Sequence, residues 1–194
     1  MVTVQSIQPT PNPNAFKFVC DELLFQGTKN YATAAEAKGH ELAEKLFALD
    51  GVDTLFFCDK FVTVSMTADA DWRQVHEQAT RVLGETASPY GSGGSAPAPE
   101  AGAPAGSGAF DPEGLDAAQR QLFDQINDIL DDRVRPALAG DGGGLEVIGL
   151  DGKTLLIRYQ GACGSCPSSI GGTLMAIQNL LQSEVDEELA VVSA

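Results

Sequence analysis

The chain is short of cysteine, histidine and basic residues, and each shortage excludes something. Four cysteines in 194 residues are too few for a disulfide-stapled scaffold. The two histidines, His40 and His76, have no Cys or His neighbour at ligand spacing and are expected to be solvated helix residues. Twelve basic residues against 27 acidic ones leave a net charge of −15. A surface of that sign repels phosphate backbones, so nucleic acid is not an expected partner. No apolar run approaches the roughly 20 residues of a membrane span, so no membrane association is expected either. The opening residues, Met1 to Pro9, lack the basic and apolar regions of a secretory signal and the Arg-rich amphipathic character of an import peptide. On that ground the protein is expected to be cytoplasmic.

A second CxxC motif is also missing, which makes the one that is present more telling. Cys163 and Cys166 lie in the run Gly161-Ala162-Cys163-Gly164-Ser165-Cys166-Pro167-Ser168-Ser169. Zinc or an iron–sulfur cluster takes about four ligands of this kind, and the loop supplies half of them. Either the pair performs dithiol redox chemistry alone, or a second copy of the chain brings the missing ligands.

Residues 88–110 are almost entirely Gly, Ser, Pro and Ala. Such a segment cannot bury enough apolar area to offset its ordering entropy and is expected to be a flexible linker. It divides the chain into an N-terminal domain, 1–87, and a C-terminal domain, 111–194. In the first, strands are expected over Val2–Gln8, Phe16–Cys20, Thr54–Cys58 and Phe61–Met66, the last two joined by a tight turn at Asp59-Lys60. Thr33 with Glu36 forms a capping-box pattern ahead of Leu42, Leu46 and Leu49 at helical spacing. Asp69 is the expected cap of a second helix bearing Val75, Ala79 and Leu83.

In the second domain, Asp111-Pro112 is the expected start of a helix carrying Leu115, Leu122, Ile126 and Leu130, which Arg135-Pro136 should end. Leu145–Leu150 and Lys153–Gln160 flank Asp151-Gly152, a two-residue hairpin signal. The cysteine loop follows, then a helix with Ile170, Leu174, Ile177 and Leu181 on one face, then a short strand over Leu189–Val192. The fold class is α+β. Two small α/β-sandwich-like domains are expected, an N-terminal antiparallel sheet with two helices and a C-terminal helix–β-hairpin–CxxC loop–helix.

The loop chemistry suits a metal. Pro167 fits a first helical turn, and the unpaired amides and positive dipole end of that helix favour thiolate at Cys166. Gly161 and Gly164 allow the backbone to close around a bulky ligand. Because a hairpin precedes the motif, the setting differs from the βαβ context of thioredoxin-type exchange, and metal binding is favoured over dithiol chemistry. Spacing does not decide between zinc and iron–sulfur. Cys20 and Cys58 lie in apolar strand runs and are expected to be buried packing residues.

The chain resembles the NifU-like, Nfu-type iron–sulfur cluster carriers. Arg135 to Gly143 is similar to the loop before that family's hairpin, and Gln160 to Ser169 followed by Thr173-Leu174 is similar to its cluster-binding motif. In the N-terminal half, Thr10 to Asn14, Ala43 to Phe47 with Gly51-Val52, and Phe61 to Val64 resemble the companion domain. Gly144 stands where an acidic residue is common, and Met175 and Gln178 stand at positions that are often Lys and Glu. The resemblance implies a [4Fe–4S] cluster shared by a homodimer through Cys163 and Cys166 of each subunit. It further implies an upstream cluster donor and delivery to apo iron–sulfur client proteins, and it implies no enzymatic activity. The competing reading is a thiol-disulfide oxidoreductase using the same two cysteines.

Overall fold

Successive side chains of a strand point to opposite sides, and the apolar residues of the N-terminal strands gather on one of them. The computed structural model describes residues 2–86, 110, 115–164 and 167–193, with backbone alone at 167–170. Strands β1 (Val4–Pro9), β2 (Ala15–Cys20), β3 (Thr28–Tyr31), β4 (Val52–Cys58) and β5 (Phe61–Met66) form an antiparallel sheet of order β1-β2-β5-β4-β3. Phe18, Leu55, Phe57, Val62 and Val64 meet Leu42 and Leu46 of α1 (Glu41–Phe47) and Val75, Ala79 and Leu83 of α2 (Trp72–Glu85) in one core. The α+β expectation therefore holds, with an antiparallel N-terminal sheet as foreseen.

The C-terminal unit has its own core. Helix α3 (Ala117–Ile129) runs through a π-helical turn, Leu130–Val134, into α4 (Arg135–Gly140). Strands β6 (Gly143–Asp151) and β7 (Thr154–Gly161) pair as the expected hairpin. Helix α5 (Pro167–Glu184) follows, and β8 (Ala190–Ser193) pairs parallel to β7. Ile126, Leu130, Leu155, Ile157, Leu181 and Leu189 fill the space between helices and sheet. The linker expected over 88–110, apart from Phe110, lies outside the described residues. So does the expected start at Asp111-Pro112; the described helix is capped by Asp116, which accepts from the Gln119 amide at 2.8 Å.

Several local expectations are corrected. Pro136 does not end the helix, because the wider π turn before it shifts the hydrogen-bond pattern and Pro enters α4 in its first turn. Arg135 anchors this junction through Asp131 and through Asn127, whose Oδ1 accepts from its guanidinium at 3.0 Å. Glu36 does reach back, accepting from the Ala32 amide at 3.0 Å, but the contact closes a turn, and α1 begins only at Glu41. The cap of α2 is Asp71 rather than Asp69.

His40 is not a solvated helix residue. It is the N-cap of α1, its Nδ1 accepting from the Ala43 amide at 3.1 Å, with its ring centroid 5.0 Å from that of Phe57. Burial lowers its pKa below the ordinary histidine value. The unfolded chain therefore binds a proton first as pH falls. Stability should be level above about pH 6.5 and decline below it, and protonation would also remove the acceptor at Nδ1. His40→Asn, which keeps a capping acceptor, is expected to flatten that decline in urea unfolding series. An unchanged slope would rule out His40 as its source.

The sheet face turned away from α1 and α2 is not left to solvent. Register places Lys17 opposite Thr63, Thr63 opposite Phe56, and Phe56 opposite Asn30, one cross-strand row. The Lys17 ammonium donates to Ala139 O at 2.8 Å and Gly140 O at 3.2 Å. Phe56 is fully buried against Gly144 and Gly161, where an added Cβ would lie 2.9 Å from its ring atoms. Burying such a ring stabilises by about 1.5–3 kcal/mol. Thr63 lies under Gly142, and its hydroxyl is buried with no partner among the described residues, a cost of about 1–3 kcal/mol.

Candidate metal centre

The cysteine loop is shaped by where β7 stops. Gly161 takes a left-handed conformation, φ +63°, which turns the chain back toward β6. The Ala162 amide then donates to Gly142 O at 3.2 Å, and the Gly164 amide to Gly161 O at 3.0 Å. The Gly161 amide donates to Asn30 Oδ1 at 3.3 Å, so a residue of the N-terminal sheet fastens the entry to the loop.

Cys163 sits inside this turn, 7% exposed, against the C-terminal core. Gly143 faces it so closely that an added Cβ would be 2.5 Å from its Sγ. Tyr159 lies beside it; burial first, and the nearby cysteine second, push the phenol up to about 12. The Tyr159 hydroxyl is buried with no partner among the described residues. Cys166, with its side-chain position, lies outside the described residues. Its chain position is immediately before Pro167, the first residue of α5. The opening amides of an α-helix have no intrahelical partner.

The other two cysteines lie on strands β2 and β4 of the N-terminal sheet. Cys20 is buried, and burial raises its thiol to about 12; Cys58 is 9% exposed and raised to about 11 by burial, then by Asp59. Both are buried, as their apolar strand runs led us to expect, and both stay protonated at neutral pH. His76 lies on α2 as expected and is half-buried, with its ring beside Phe16, Phe18 and Trp72. Among the described residues no group of three or more His, Cys, Asp or Glu could hold a metal.

One topological expectation is overturned. The hairpin precedes the motif as foreseen, but β7, α5 and the parallel strand β8 form a crossover unit around it. The strand–helix junction therefore does not separate this site from βαβ dithiol sites. Sequence reasoning also missed Tyr159, Asn30 and the close-approach role of Gly143. The run Gly142-Gly143-Gly144 was the available signal, since three adjacent glycines give other groups room to approach.

Two family models match the chain: Scaffold protein Nfu/NifU N terminal over residues 4–89, and NifU-like domain over residues 126–192. A Drosophila ananassae protein named "NFU1 iron-sulfur cluster scaffold homolog, mitochondrial" is 32% identical over 93% of this chain and 60% of its own length. A NifU-like protein of Schizosaccharomyces pombe is 32% identical over 95% of this chain and 70% of its own. The crystal structure of protein SAV1430 from Staphylococcus aureus covers 41% of this chain and 96% of its own, at 23% identity and a TM-score of 0.37.

The chain thus spans less than two thirds of the length of the Drosophila relative. That relative is named as mitochondrial, which overturns the expectation of a cytoplasmic protein. The expectation rested on the character of residues 1–9, and where this chain begins carries no such inference. With 32% identity across 70% of the Schizosaccharomyces pombe relative, and family models covering both halves, the chain belongs to the NifU-like, Nfu-type family.

Proposed function

We propose that this chain is an iron–sulfur cluster scaffold and carrier. Two copies hold one [4Fe–4S] cluster through Cys163 and Cys166 of each, receive it from an upstream donor and pass it to apo-proteins. The observation that carries the reading is the incomplete ligand set, one thiol pair at a strand–helix junction where a cluster takes four thiolates. No described group of side chains could complete it within the chain. The Drosophila relative's name, an iron–sulfur cluster scaffold homolog, supports the cargo.

Cluster binding and pairing are then one equilibrium, since the cargo binds only the paired form. Incoming client thiolates replace carrier thiolates one at a time, and loss of one subunit's pair removes half the grip. No covalent bond in a substrate is made or broken, so the chain is not an enzyme. The parallel crossover around the motif favours a second reading, dithiol–disulfide exchange by the same cysteines.

Anaerobic reconstitution with iron and sulfide separates the readings. A carrier turns brown, gains about four irons per two chains and becomes dimeric. An oxidoreductase stays colourless and reduces insulin disulfides. A structural zinc dimer is colourless with about one metal per two chains. A loaded sample that runs as a single chain, with no external thiol present, would refute the shared-cluster proposal.

A further inference from the structure

The N-terminal unit supplies none of the proposed ligands, yet one row of its sheet is fitted to the base of the cysteine loop. Lys17, Thr63, Phe56 and Asn30 stand directly opposite one another across four strands. Each addresses a different point of the C-terminal unit. Lys17 donates to the last carbonyls of α4, Thr63 lies under Gly142, Phe56 fills the space left by Gly144 and Gly161, and Asn30 accepts from the Gly161 amide. Gly142 and Gly161 are the two residues whose backbone contacts shape the Cys163 turn, and Gly143 between the docked glycines touches Cys163 itself.

We infer that the N-terminal unit is an intramolecular cover for the cysteine loop, and that pairing of two chains around their cargo requires its release. The inference rests on the carrier reading for the cargo, but the docking itself does not. A cluster held by two chains brings their loops within a few ångströms of one another, since each metal–sulfur bond is only about 2.3 Å. Cys163 is 7% exposed within the C-terminal core, and the docked five-stranded sheet stands against Gly142, Gly144 and Gly161 at the base of its loop, on one side of the approach a second chain would use. The contact is built to open. Its aromatic anchor is opposed by the Thr63 hydroxyl, which is buried without a partner among the described residues and regains water on release.

Phe56→Ala removes the anchor from one side; Gly144→Glu fills its socket from the other. The test uses the full apo chain, with small-angle scattering for its extent and hydrogen exchange for the Gly161 amide. Both variants are expected to have a larger radius of gyration and at least about tenfold faster Gly161 exchange, the scale of losing a buried aromatic anchor. On anaerobic loading with iron and sulfide, both are expected to pair and take up cluster faster than the parent. Unchanged scattering and exchange in both variants would overturn the docking. Release without faster loading would overturn the cover. A parent chain that takes up no cluster sinks the carrier reading and the cover with it, while the apo measurements still decide the docking.

Discussion

Cys163→Ala and Cys166→Ala are each expected to reduce iron retained after anaerobic reconstitution from about four per two chains to background. A pair of chains carrying either substitution keeps two of the four proposed thiolates, and a cluster held at two corners exchanges its remaining sites with buffer thiols and water. The matched controls are Cys20→Ala and Cys58→Ala. Those thiols are buried and raised to about 12 and about 11, so they are protonated where a ligand must be thiolate. Truncating a buried cysteine costs some stability, so iron is normalised to folded chain. Full cluster retention by either loop variant would reject the ligand set. Loss of iron in either control would mean that the N-terminal cysteines reach the cargo after all.

The parts of this structure that were legible in the sequence are those decided by local pattern. The alternation in Phe16–Cys20 and Phe61–Met66 placed β2 and β5, and Asp151-Gly152 placed the hairpin, because side-chain period and turn chemistry act over a few residues. Strand β3 was missed. It is four residues, Thr-Lys-Asn-Tyr, at the sheet edge, and its pairing with β4 is a backbone matter that its own side chains hardly report. The parallel sense of β8 was missed for a similar reason, since four residues do not encode which way they run beside β7.

The cysteine site shows the same division. Residue types and spacing singled out the loop, with zinc, iron–sulfur and dithiol chemistry left open by the spacing itself. What surrounds it comes from residues that read as ordinary. Lys17, Asn30 and Thr63 occupy the polar positions of an alternating pattern, which normally marks a solvated face. Here that face packs against the loop base. A face covered by a distant part of the chain leaves no signature in its own segment. Here Thr63 and Phe56 approach Gly142, Gly144 and Gly161, where a side chain would collide, so the record of the contact lies in the C-terminal half.

Gly143→Ala is the substitution in which that packing has its largest expected effect. The added methyl would lie 2.5 Å from Cys163 Sγ, 3.0 Å from Cys163 Cβ and 2.9 Å from the Gln160 carbonyl oxygen. The carbonyl belongs to β7 and cannot rotate away, so the cysteine has to yield. Overpacking of this kind costs about 1–3 kcal/mol, enough to lower the melting temperature by several degrees. The functional loss should exceed the loss of stability. Well-made metal sites keep their ligand distances within about 0.2 Å of the standard values, and displacing Cys163 in both chains disturbs two of the four proposed ligands at once. Gly140→Ala is the control, because an added Cβ there meets nothing within 4 Å; in a helix it should be neutral or mildly stabilising. Thermal unfolding and iron per folded chain, measured on both variants, separate the effects. A Gly143→Ala protein that melts and loads like the parent would show that Cys163 is not held by this contact.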